Sequence, residues 1–129
     1  MRCVLFYSEV ESFNYFTNQI EKELLKRGHE CFILDLCGVY GKAVADTKHS
    51  MQAFQEYMED TVHLVICFDG LGLKEDLFIE LWNLKQAVTV DILMDHPLRF
   101  HPVMENHPKR YVQFCCDKNH VEYVKRYFG

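Results

Sequence analysis

The chain has 129 residues, 49% apolar and 26% charged, a composition that suits one globular domain with a real core. Its net charge of −5 speaks against nucleic acid as a partner, because phosphate binding needs a concentrated basic surface. No apolar run approaches the roughly 20 residues that span a bilayer, and the Met1-Arg2 start leads into a stretch too short for a secretory signal. A cytoplasmic protein with no membrane partner is therefore expected.

In chain order, Cys3-Val4-Leu5-Phe6-Tyr7 is a continuous apolar run of the kind that forms a central strand covered on both faces. Phe13, Phe16, Ile20 and Leu24 then recur at helical spacing, with Ser12 as the expected N-cap and Gly28 as the stop. Cys31 to Leu36 gives a second strand, so the opening is a βαβ unit with parallel strands. Gly38 and Gly41 mark a loop, and a helix is predicted over about 46–60, with Met51, Phe54, Tyr57 and Met58 on its inner face. Val62–Phe68 is a third strand, closed by Asp69-Gly70, and the next helix carries Leu77, Phe78, Leu81 and Trp82. Val88–Met94 is a fourth strand, followed by a proline-broken stretch to Pro108. Tyr111–Cys115 is a fifth, and Asp117 caps a last helix with Val121, Val124 and Tyr127 facing inward.

This alternation predicts a three-layer α/β/α sandwich around a five-stranded parallel Rossmann-like sheet, with expected order 3-2-1-4-5, filling residues 1–129 as a single domain. The six cysteines show no CxxC spacing, and four of them (Cys3, Cys31, Cys67 and Cys115) lie inside apolar strand-like runs. They read as reduced, mostly buried thiols.

Ligands of open parallel sheets bind beyond the carboxyl ends of the strands. That rule selects Ser8 and Glu9, Asp35, Asp69 and Gly70, Asp95 with His96, and Cys116-Asp117. The first turn, Ser8-Glu9-Val10-Glu11-Ser12, contains no glycine and carries two carboxylates. NAD, FAD, FMN or P-loop nucleotides are not expected there, and no cofactor is implied. The densest polar group runs from Asp95 through His96 to His101 and Pro102. Its His spacing matches no standard zinc signature, so it reads as a hydrogen-bonding loop beside a cleft, or as plain loop structure, with no metal expected. A His at a strand end suits general-base work near neutral pH. Asp69-Gly70-Leu71-Gly72 reads first as a strand-to-helix turn needing positive φ.

Three function classes fit this outline. A receiver domain would need acids after the first strand, an aspartate ending the third and a lysine ending the fifth; Glu9, Glu11, Asp69 and Lys118 fill those roles poorly. A flavodoxin-like carrier would need a hydroxyl-rich phosphate loop, which the first turn lacks. The third comes from resemblance. Met1–Ser8, with Leu24-Leu-Lys-Arg-Gly-His-Glu-Cys-Phe-Ile-Leu-Asp35, resembles the opening of GT-B-type glycosyltransferases. Leu93-Met-Asp-His-Pro97 and Tyr111–Phe128 resemble the N-terminal domain of bacterial glycosyltransferase-like proteins of the CgeB-related group. The resemblance implies the acceptor-side half of a two-domain sugar transferase, inactive alone, with a nucleotide sugar held mainly by a further domain. It also implies a cleft lined by Ser8, Glu9, Asp69, Asp95 and His96, with His96 or Glu9 as base. The alternative is a stand-alone binding or interaction module, in which exposed aromatic surface would be buried in a homodimer.

Overall fold

The computed structural model describes residues 1–35 and 51–128. It is an α/β protein with an all-parallel five-stranded sheet flanked by helices, and it divides into two compact units, Met1–Val65 and Ile66–Gly129. The sheet order is 2-1-3-4-5, the order of flavodoxin-like doubly wound sheets. The expected order 3-2-1-4-5 is corrected at one strand: β3 (Leu64–Phe68) pairs with β1 (Arg2–Tyr7), through Cys3↔Leu64 and Val4↔Val65, and not with β2 (Glu30–Asp35). Periodicity reports which residues face a core, and it is blind to which neighbour a strand selects.

In Met1–Val65, β1 pairs with β2 in parallel from Arg2↔Glu30 to Tyr7↔Asp35. Cys3, Val4, Leu5, Phe6 and Tyr7 are all buried, as the continuous apolar run requires. Burying each large side chain of such a strand contributes roughly 1.5–3 kcal/mol. Helix α1 (Glu11–Lys26) ends as Gly28 predicts: with φ at 85°, its N–H donates to Leu25 O and the next, from His29, to Leu24 O. That pair of bonds is a Schellman cap. The N-terminal end differs from expectation. Val10, not Ser12, is the N-cap residue, and the buried positions of α1 are Asn14 and Thr17, while Phe16 is 42% exposed. Arg2 ties the amino ends together: its Nε meets Glu30 Oε2 at 2.8 Å, and Nη1 donates to Tyr57 O and Thr61 O. The second helix is α2 (Met51–Tyr57); the loop expected at Gly38 and Gly41 and the helix start expected at about residue 46 fall outside the described residues.

In Ile66–Gly129, α3 (Asp76–Lys85) buries Phe78, Ile79 and Trp82, and the Trp82 indole N–H donates to Gly72 O at 2.8 Å. Strand β4 (Val88–Leu93) pairs with β5 (Tyr111–Cys115) from Thr89↔Tyr111 to Leu93↔Cys115. One face of β4 is wholly buried and holds Thr89, Asp91 and Leu93. On β5, Val112 and Phe114 are exposed, Phe114 at 55%. The stretch between β4 and β5 is more ordered than a proline-broken loop. Pro97 opens a 3-10 turn (Pro97–Arg99) and Pro102 sits in the first turn of α4 (His101–Glu105), positions where a missing N–H costs nothing. Helix α5 (Lys118–Phe128) starts at Asp117, whose Oδ1 accepts the Asn119 N–H at 2.7 Å. No described helix is long and apolar enough to cross a membrane.

Candidate functional site

The first turn of Met1–Val65 is a clasp. Asn14 Oδ1 accepts the Ser8 N–H and Asn14 Nδ2 donates to Ser8 O, both at 2.8 Å, while Ser8 Oγ accepts the Val10 N–H at 3.1 Å. Thr17 Oγ1 donates to Phe6 O, and Tyr7 OH donates to Asn18 Oδ1 at 2.6 Å. Side chains of α1 thus satisfy the strand-end backbone that a glycine-rich turn would leave for a phosphate. Ser8 is held at this turn; Glu9 is exposed and makes no hydrogen bond among the described residues.

The other five candidates lie in Ile66–Gly129, and the structure gathers them at the carboxyl ends of β3 and β4. Asp69 has a φ of 51°, unusual for a residue with a side chain, and Gly70 follows at 77°. Asp69 is held there by its own bonds: its N–H donates to Ile92 O, and its Oδ1 accepts the Met94 N–H at 2.9 Å. Burial pushes the Asp69 carboxyl up, the Met94 N–H counters this, and the nearby Asp95 carboxylate adds to the rise. Gly70 packs against α4, where a Cβ would come within 3.1 Å of Val103. Underneath sits an acid that the sequence reading passed over. Asp91 is 0% exposed; Oδ1 accepts from Gly70 N at 2.8 Å and from Cys67 Sγ at 3.4 Å, and Oδ2 has no partner. Burial holds the Asp91 carboxyl above its usual range, and it also drives the Cys67 thiol well up.

His96 and His101 meet α5. The His96 ring lies edge-on to His120 at 4.8 Å and to Tyr123 at 5.1 Å. His101 Nε2 is 2.9 Å from Tyr123 OH, and its ring packs edge-on to Phe128 at 4.8 Å. The residues of α5 that make these contacts are His120, Tyr123 and Phe128, whereas Tyr127, expected to face inward, is 59% exposed. Three imidazoles and two further rings form one cluster, and His120 Nδ1 is buried within it without a hydrogen-bond partner. His96 Nδ1 accepts the Leu98 N–H at 3.0 Å, so the neutral ring carries its proton on Nε2. In this arrangement His96 offers a ligand a donor. A charged Asp inside the apolar strand Val88-Thr-Val-Asp-Ile-Leu93 was a signal open to sequence reading; the role of Tyr123 needs the tertiary contact.

Among the described residues no group of three or more His, Cys, Asp or Glu side chains could hold a metal ion. Comparison with protein-family models, curated proteins and solved structures gives no match to this chain.

Proposed function

We propose that the chain is the acceptor-side domain of a two-domain, GT-B-type glycosyltransferase-like protein, and that it binds carbohydrate at the cluster formed by His96, His101, His120 and Tyr123. One observation supports this reading: the segments that carry the family resemblance, Leu93–Pro97 and Tyr111–Phe128, are far apart in sequence, yet His96 packs on His120 and Tyr123. Sugar rings present C–H groups to aromatic faces and hydroxyls to polar edges, and this cluster offers both. His96 Nε2–H is a donor for a sugar oxygen, with Asp95, exposed beside it, as an acceptor for a hydroxyl. Transfer would need the nucleotide sugar held by a further domain, so this part alone is expected to bind and not to turn over.

Saturation-transfer NMR with a panel of neutral oligosaccharides and free nucleotides tests the reading. Transfer to oligosaccharide protons, lost in Tyr123→Leu and absent for free nucleotides, is the expected result. No transfer to any sugar would overturn it.

A second reading, a stand-alone interaction module, is favoured by the exposed Val112 and Phe114 on β5. Sedimentation that shows a strict monomer at high concentration would count against self-association through that face.

A further inference from the structure

A concavity lies at the amino ends of β4 and β5, where Ala87 precedes β4 and Lys109-Arg110 precede β5. It has a volume of about 270 Å³ and is lined by Trp82, Asn83, Gln86, Ala87, Lys109 and Arg110. Two of its lining side chains are cationic. Asn83 Oδ1 accepts the Lys109 backbone N–H at 2.8 Å, which assigns the amide and leaves Nδ2 as its donor. Gln86 O accepts from Arg110 Nη1 at 2.7 Å, and Asn83 O and Trp82 O accept the N–H groups of Gln86 and Ala87. The acceptors named here are already engaged. What these residues leave for a ligand is the rest of the Arg110 fork, the Lys109 ammonium and the Asn83 amide N–H groups as donors, and the Gln86 carboxamide, which offers two N–H donors and one acceptor oxygen.

Neither Lys109 nor Arg110 makes an ion pair among the described residues, where Arg2–Glu30 and Arg27–Glu23 do. The carboxyl end of α3 also points here and carries a partial negative charge of about half a unit. Two full positive charges outweigh it, and the Arg110 bond to Gln86 O, at the left-handed residue that ends α3, anchors the guanidinium at one nitrogen. An anchored Arg beside a Lys, with amide N–H donors outnumbering the one Gln86 acceptor, complements the dianion of a phosphate monoester, whose oxygens only accept.

We propose that this pocket is an anion site for the phosphate group of a small phosphorylated molecule, separate from the imidazole cluster at the carboxyl ends of the same strands. The test is a 1H–15N NMR titration of the protein with inorganic phosphate, at ionic strength held constant with sodium chloride. The indole N–H of Trp82, the single tryptophan, and the side-chain amide of Asn83 report on the pocket wall. Saturable shifts of both are expected, with affinity weakened about tenfold or more by Arg110→Gln or Lys109→Gln and with acetate binding more weakly than phosphate. Lys109→Gln keeps the backbone bond to Asn83, so it decides the matter even if Arg110→Gln fails to fold. Shifts no larger than those caused by chloride, or phosphate shifts undiminished in a folded Lys109→Gln protein, would overturn the proposal.

Discussion

Asn14 and Thr17, the buried polar residues described in Met1–Val65, both spend their hydrogen bonds on the backbone at the end of β1. In Ile66–Gly129 the buried polar atoms are less well served: Glu75 Oε2, Asp91 Oδ2 and His120 Nδ1 have no partner, and they are the three such atoms among the described residues. The first unit thus uses its polar side chains to close a strand end. The second holds an unsatisfied acid below a positive-φ turn and an unsatisfied imidazole within an aromatic cluster. Unsatisfied buried groups cost stability, and they persist where something other than stability maintains them. The difference is the ground on which the proposed binding chemistry is assigned to the second unit, while the polar side chains of the first serve its own backbone.

Substitutions can break this contrast, beginning with the largest effect. Leu5→Ala, in the buried β1, should cost about 2–5 kcal/mol in urea unfolding. Phe114→Ser, on the exposed face of β5, should cost no more than about 0.5 kcal/mol. Equal costs would mean that β5 is packed as tightly as β1. Asn14→Ala removes both bonds of the Ser8 clasp and strands a donor and an acceptor, so a loss of about 2–4 kcal/mol is expected. A loss below about 1 kcal/mol would show that water replaces the clasp freely.

Much of the first unit was legible in the sequence because its signals are local. The apolar run of β1, the period of α1 and the Gly28 stop each depend on residues a few positions apart. The clasp is not legible, although Asn14 and Thr17 share a helix face, because apolar spacing points to Phe16 and nothing local shows that Asn14 turns to the Ser8 backbone. In the second unit Asp117 announced its helix and the Asp95–His101 group announced a polar strand end, but the ring cluster depends on α5 returning to the 3-10 turn at Pro97–Arg99. Strand order was hidden for the same reason: it is decided by contacts between segments and not within them.

A smaller effect probes the buried acid. The folded state raises the Asp91 carboxyl above 3.8, so the native protein binds that proton more tightly than the unfolded chain. The resulting contribution is full below about pH 3.8 and is lost as pH rises through the folded value. Asn cannot titrate and can still accept from Gly70 N. Relative to the parent, Asp91→Asn should therefore gain stability as pH is raised from 3.5 to 7, read from urea midpoints at the two pH values. A difference that is constant with pH would mean that the acid is not strained by burial.

The most direct test of the contrast uses the histidine rings as reporters. His29 and His63 lie in the first unit, and His96, His101 and His120 form the cluster of the second. With 13C-labelled histidine, a binding oligosaccharide should move the ring signals of His96, His101 and His120 and leave those of His29 and His63 in place. Shifts confined to His29 and His63, or no histidine shift with a sugar that demonstrably binds, would contradict the account.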